Sequence, residues 1–342
     1  MQLKKIRCAV LGLGRQGFRH AENLAYRIPG AELSAVVDTV EERARKIAED
    51  WGIPRWHTEA DPIFSDPGID AVIIATPSDT HPPLVIEAAR HNKAIFVEKP
   101  LATNLNEADR IIEVVEQTGV FCQVGFMRRF DPAYAHAKER IRRGDIGRPV
   151  YFKGVTRDPA APPEKYVRSS GGIFMDMCIH DFDIARFLMG SEVESVTAHG
   201  TVLVNRFMKT IGDIDQALVY LTFASGAAGD VEGYRSAGYG YDIRAEVVGT
   251  EGTLVIGSRR HHDVVLLNAK GEARDIVPGF LERFREAYLL EMVDFIRRIQ
   301  SGQPPAVTVQ DGKAALMIAQ AATRSFREQK TVKVSEIHGI KN

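Results

Sequence analysis

The chain has 342 residues, 44% of them hydrophobic and 26% charged, with 29 Gly and 16 Pro; these are ordinary globular proportions, and at roughly 150 residues per domain they predict about two domains. Lys and Arg number 44 against 45 Asp and Glu, a formal charge of −1, so no global field favours nucleic acid or an anionic membrane. The three cysteines, Cys8, Cys122 and Cys178, are too few and scattered for a disulfide scaffold, which points to a reducing, cytoplasmic setting, and no stretch approaches the ~20 apolar residues of a membrane helix.

The first apolar run, 6–11, follows basic residues as a leader peptide would, but it is short and ends in glycines, so it reads as a strand. Further β-branched apolar runs at 33–37, 71–75, 94–97 and 120–124 alternate with helical spacing near 16–28, 41–51, 81–91 and 104–118. Repeated βα units whose strands carry few polar residues predict a doubly wound parallel sheet with helices on both faces. Past residue 124 the texture changes. A helix over 131–143 precedes strand-like runs at 150–156, 193–204, 216–223, 227–234, 243–248 and 253–256, punctuated by Gly226, Gly240, Gly249 and Gly252. These predict a large, mostly antiparallel sheet. Two helical patterns, 281–300 and 309–328, close the chain around the breaker Ser301-Gly302-Gln303-Pro304-Pro305. The expected domains are 1–124 and 125–342.

Between the first strand and the first helix stands Gly12-Leu13-Gly14-Arg15-Gln16-Gly17. A GxGxxG string alone is weak; its place after a strand and before a helix makes it a dinucleotide loop. Gly12 permits the tight turn, Gly14 lets backbone N–H groups approach a pyrophosphate, and Gly17 allows close helix–sheet packing. Asp38 ends the second strand 21 residues after Gly17. There a carboxylate hydrogen-bonds the adenosine ribose and repels a 2′-phosphate, which favours NAD; the competing reading is a solvated turn aspartate. Arg15 and Arg43 can compensate a phosphate, so NADP stays open as the lesser cofactor.

Two segments carry groups suited to chemistry. Glu98-Lys99-Pro100 follows a parallel strand, whose carboxyl end opens onto a ligand crevice; a solvated Lys-Pro turn is the plain alternative. In the run from Gly171 to Asp183, Asp176 and His180 are four residues apart and Asp183 follows at seven, so a helix places all three along one face. A histidine beside carboxylates can accept a proton near neutral pH. Catalysis, a metal site of Asp, His and Asp, and a capped helix start with a structural histidine all fit these residues alone.

Taken together, the GLGRQG loop, Asp38, the strand end Ala75-Thr76-Pro77 with His81, the Glu-Lys-Pro turn and the Asp176-xxx-His180-Asp-x-Asp segment resemble the Gfo/Idh/MocA oxidoreductase family, in family order across nearly the whole chain. Residues 125–132, 156–159 and 239–242 are similar in particular to those of the inositol dehydrogenases within it. The resemblance implies a Rossmann domain followed by an α+β domain with an open sheet that commonly builds dimers and tetramers. It implies cofactor contacts from Gly12, Leu13, Gly14, Arg15, Gln16, Gly17, Asp38, Ala75, Thr76, Pro77, His81, Glu98 and Lys99. It also implies a catalytic triad of Lys99, Asp176 and His180. In that triad His180 takes the hydroxyl proton, Lys99 hydrogen-bonds the same oxygen, and Asp176 orients a substrate hydroxyl and His180. Arg129, Arg157, Asp158 and Tyr241 are the candidates for the remaining ring hydroxyls. No metal is required by this mechanism.

The implied activity is NAD-dependent oxidation of an inositol ring hydroxyl to an inosose. Its rivals are the same chemistry on a pyranose sugar or other polyol, a dinucleotide-sensing regulator, and NAD-assisted glycoside hydrolysis. A site of Lys, Arg, Asp, His and Tyr suits a polyol because each buried hydroxyl demands a partner, so an epimer leaves groups unpaired. Arg259-Arg260-His261-His262 reads as a solvated hairpin tip, Trp51 and Trp56 as packing anchors, and Cys8 as an inert core residue.

Overall fold

In the computed structural model, residues 4–338 are described. They divide into two compact units, one of residues 4–127 and 286–316, the other of residues 128–285 and 317–338.

In the first unit, β1 (Ile6–Leu11), β2 (Ala31–Val37), β3 (Trp56–His57), β4 (Ala71–Ile74), β5 (Ala94–Glu98) and β6 (Cys122–Gly125) form one parallel sheet in the order β3-β2-β1-β4-β5-β6. Every neighbouring pair is parallel. The strand order reverses direction at β1 and β4, and in such sheets ligands bind outside the carboxyl ends at that point. The apolar runs become strands because both faces are covered: Ala9, Val10, Val72, Ile73 and Phe96 have no exposed surface. The intervening helices fall close to the expected spans. The helix Leu105–Thr118 begins on Asn104, whose side chain accepts from the Glu107 N–H at 3.0 Å, and ends on Gly119 in the left-handed region.

The helix Arg285–Ser301 belongs to this unit, whereas the sequence reading grouped it with the second domain. The reason is aromatic packing: Phe295 meets Phe96 and Phe121 edge-on at 5.7 and 5.6 Å, and Met292 and Ile296 join the same core. The segment after it adds backbone pairing, with the Val124 N–H donating to the Val307 carbonyl at 3.1 Å.

The second unit carries a seven-stranded sheet. Its strands are β7 (Pro149–Asp158), β8 (Val193–Thr201), β9 (Gln216–Phe223), β10 (Ala228–Arg235), β11 (Asp242–Gly249) and β12 (Thr253–Ile256), with β15 (Val332–Lys333) at one edge. The order is β12-β11-β7-β10-β9-β8-β15, antiparallel except for the β7–β10 pair. A helical segment lies on this sheet where two glycines make room: a Cβ at Gly233 would stand 2.9 Å from Cys178 Sγ, and one at Gly154 would stand 3.1 Å from Asp181 Oδ1. The residues read as a hairpin tip instead open a strand. β13 (Arg260–Asn268) and β14 (Gly271–Ile276) pair as an exposed two-stranded ribbon. The run escapes prediction because neither face is buried, so no apolar alternation marks it.

Candidate active site

The glycine loop of the first unit is tightly packed at Gly12 and Gly17 and open at Gly14. Gly12 sits at φ +86°, and a Cβ there would meet the Ala75 carbonyl oxygen at 2.7 Å, so β1 and β4 close tightly around it. A Cβ on Gly17 would collide with the Gly12 carbonyl. Around Gly14 the space is open, with nothing within 4 Å of its ideal Cβ. Gly14 is the N-cap of the helix Arg15–Tyr26, which has no side-chain cap and no acidic residue in its first turn. Its leading N–H groups and positive dipole end therefore suit an anion such as a pyrophosphate.

Asp38 is 6% exposed and more heavily engaged than a ribose ligand alone requires. Its Oδ2 accepts the Leu13 N–H at 2.8 Å and its Oδ1 the Val40 N–H at 2.9 Å, while Arg43 donates to both at 3.0 and 3.2 Å. These bonds fill the roughly four lone-pair positions of a carboxylate. Asp38 thus braces the glycine loop, and of its partners Arg43 is the one held by an exposed side chain.

His81 is buried at the start of the helix His81–Arg90. Its ring does not cap the helix; Nδ1 lies 2.8 Å from the Pro100 carbonyl and Nε2 3.0 Å from the Thr76 carbonyl. Burial pushes its pKa down, opposed by those two carbonyls. His81 therefore ties the Ala75-Thr76-Pro77 strand end to the Glu98-Lys99-Pro100 turn, whose Lys99–Pro100 bond is cis. Glu98 accepts from the Lys99 N–H at 3.3 Å.

In the second unit, Gly171 and Gly172, both in the left-handed region, lead into a turn of π-helix at Phe174–Cys178 and then the helix Ile179–Met189. Asp213 fixes this entry by accepting the Ile173 N–H at 3.1 Å. Asp176 lies in the π-turn, a distortion that recurs at functional sites, and His180 in the first turn after it. Asp176 Oδ1 accepts from the Tyr166 hydroxyl at 2.8 Å and Oδ2 from Arg235 at 3.0 Å. Asp183, expected on the same face, is gripped bidentately by Arg129 at 2.6 and 2.9 Å.

The other polyol candidates gather at one end of the sheet. Arg157 and Asp158 close β7 opposite Tyr234 and Arg235 of the parallel β10, and Asp242 of β11 stands opposite Arg157. Arg157 holds Glu232 bidentately at 2.7 and 2.8 Å and donates to the Tyr239 hydroxyl at 3.0 Å. Tyr241 is buried, edge-on to Phe284, with its hydroxyl pKa pushed up by burial and by Asp158.

Sequence reasoning missed Arg235, Tyr166 and the buried trio of Arg128, Asp181 and Thr156. Arg128 donates to Asp181 at 2.7 Å and to the Thr156 hydroxyl at 3.1 Å, and Thr156 donates to Asp181 at 2.6 Å. Burial pushes the Asp181 carboxyl up against the pull of Arg128 and Thr156. Arg235 did leave a signal: in β10 it shares the buried parity of Gly229, Val231 and Gly233, where a charge requires a buried partner. Cys178 is buried against Gly233 and burial raises its thiol pKa well above normal, so it is chemically inert. No helix among the described residues is long and apolar enough to cross a membrane.

Residues 6–126 match the family model described as oxidoreductase family, NAD-binding Rossmann fold, and residues 138–334 match its C-terminal alpha/beta domain. The chain is 54% identical over 323 residues to scyllo-inositol 2-dehydrogenase (NAD(+)) of Bacillus subtilis, covering 94% of each. It is 44% identical to myo-inositol 2-dehydrogenase of Thermotoga maritima, covering 98% of this chain and 100% of that one. It superposes with TM-score 0.93 and 30% identity on scyllo-inositol dehydrogenase from Lactobacillus casei with bound NAD(H) and scyllo-inositol, covering 97% of this chain and 100% of that one. With both family domains matched in order around a glycine loop, a strand-end Lys-Pro turn and a π-turn carrying Asp176, the chain belongs to the Gfo/Idh/MocA oxidoreductase family.

Proposed function

We propose that the protein is an NAD-dependent inositol 2-dehydrogenase that oxidises a ring hydroxyl of scyllo- or myo-inositol to an inosose. The observation that carries this reading is the 54% identity over nearly the full length of a relative named for that reaction, joined to the presence of Lys99, Asp176 and His180. The first unit binds NAD and the second the polyol. Bound NAD supplies the hydride acceptor. Gly12 to Gly17 and the uncapped helix start hold the pyrophosphate, Asp38 takes the adenosine ribose, and Glu98 and His81 set the turn that presents Lys99. Lys99 hydrogen-bonds the reacting oxygen and stabilises its developing negative charge, and His180 accepts its proton. Asp176, held by Tyr166 and Arg235, orients His180 and a neighbouring hydroxyl. Asp158 and Tyr241 complete the ring contacts, while Arg129 and Arg157 act through the carboxylates they already hold. The three buried free cysteines suit a reducing cytoplasm. Leu218, Tyr220 and Val255 expose apolar surface on sheet strands and support assembly into a homodimer or homotetramer.

The test is NADH formation, followed by absorbance, with scyllo-inositol, myo-inositol, D-glucose and D-xylose in parallel. Strong turnover of one inositol is expected, and His180→Ala lowers kcat by about 10²–10⁴-fold. Turnover of the sugars alone transfers the assignment to a pyranose dehydrogenase.

A further inference from the structure

Three ionisable side chains converge inside the first unit from separate elements. They are His20 on the helix Arg15–Tyr26, Glu98 at the end of β5, and Glu291 on the helix Arg285–Ser301. His20 and Glu291 are wholly buried, and the Glu98 side chain is 12% exposed. One ligand atom from each lies within 4.8 Å of the other two. His20 Nε2 is 2.7 Å from Glu98 Oε1.

Their hydrogen bonding is incomplete. Neither carboxyl oxygen of Glu291 has a hydrogen-bond partner, nor does His20 Nδ1. Burial, with Glu98 and Asp294 nearby, drives the Glu291 carboxyl well above the usual carboxylate range. A proton removes the charge of Glu291 but leaves a hydroxyl donor and a carbonyl acceptor unmatched, and a half-satisfied buried network is costly. A divalent cation meets both needs, since two carboxylates balance its charge, Glu291 gains the partner it lacks, and His20 and Glu98 exchange their mutual bond for bonds to the ion. Imidazole nitrogen and carboxylate oxygen are both donors that zinc accepts, although this set is richer in carboxylate than the commonest three-ligand zinc sites. Ligands about 2.0–2.2 Å from such an ion stand roughly 3.4 Å apart in tetrahedral geometry, so His20 and Glu98 open slightly while Glu291 closes in.

We propose that His20, Glu98 and Glu291 form a binding site for a divalent transition metal of the zinc class. Glu98 also accepts the Lys99 N–H at 3.3 Å, so occupancy redirects the carboxylate that braces the Lys99 turn. The site stands on its own residues and does not depend on the substrate or cofactor assigned above.

The test uses the full chain, dialysed against a chelator and titrated with Zn²⁺ by calorimetry and with Co²⁺ by visible absorption. One ion per chain is expected, with the absorption of a low-coordinate N/O site. Glu291→Gln and His20→Gln, checked for folding by circular dichroism, each weaken binding at least about tenfold; His262→Ala on the exposed ribbon leaves it unchanged. Activity need not be measured, so failure here is separate from failure of the dehydrogenase reading. Absence of stoichiometric binding by the folded wild-type chain overturns the proposal, as does binding that survives the substitutions.

Discussion

Replacing Arg43 with alanine separates the two nicotinamide cofactors. Arg43 is about half exposed, with its guanidinium 3.0 Å from the buried Asp38 carboxylate. An ion pair with one solvated partner is worth about 0.2–1 kcal/mol. Removing it frees the lone pairs a ribose hydroxyl needs, so NADH binding holds or tightens, by at most about fivefold. Asp38 stays in place because the Leu13 and Val40 N–H groups still hold it at 2.8 and 2.9 Å. NADPH behaves oppositely. A 2′-phosphate beside Asp38 loses the cation nearest to it, and a charge-assisted hydrogen bond of about 1.5–3 kcal/mol corresponds to roughly 10- to 150-fold weaker binding. Dissociation constants for NADH and NADPH, measured by fluorescence at one fixed ionic strength, give both numbers. Unchanged NADPH affinity, or NADH binding weakened tenfold, would show that Arg43 supports the loop rather than occupying the ribose position.

Arg235→Met removes the cation from Asp176 and is expected to lower kcat/KM for inositol by about 10- to 150-fold; Arg235→Lys recovers part of it, and NADH affinity, measured in parallel, stays unchanged. Phe295→Ala empties the aromatic contact with Phe96 and Phe121 and costs about 3–5 kcal/mol, read as a lowered denaturant midpoint. Asp215 is buried, which works against its charge, but N–H donors of Asn205, Leu203 and Val204 outweigh burial and hold its pKa below the usual value. A depressed carboxylate stabilises the fold above its unfolded pKa of about 3.9, and that stability is lost as pH falls through the folded value. Asp215→Asn should therefore destabilise the protein at pH 7 and flatten its stability profile on the acid side, checked by urea titrations across pH.

Much of the molecule is legible without coordinates. The parallel sheet announces itself through uninterrupted apolar strands, and Gly12 and Gly17 are readable because only glycine fits where backbones nearly touch. The loop-to-Asp38 spacing follows from the length of one βα unit. The ribbon of β13 and β14 is invisible because solvent on both faces leaves no pattern. The pairing of Arg129 with Asp183 is equally hidden, because the two residues stand on separate elements 54 positions apart.

Local sequence by itself determined the buried strands and the longer helices, the glycine loop and the residue types available for chemistry, since each depends on periodicity and on neighbours within a few turns. Tertiary structure alone decided which charges meet. Arg129 with Asp183, Arg235 with Asp176 and Glu291 with Glu98 are 54, 59 and 193 residues apart. Their partners were chosen by burial, because a charge taken out of water must find whatever opposite charge, proton or ion the fold brings within reach.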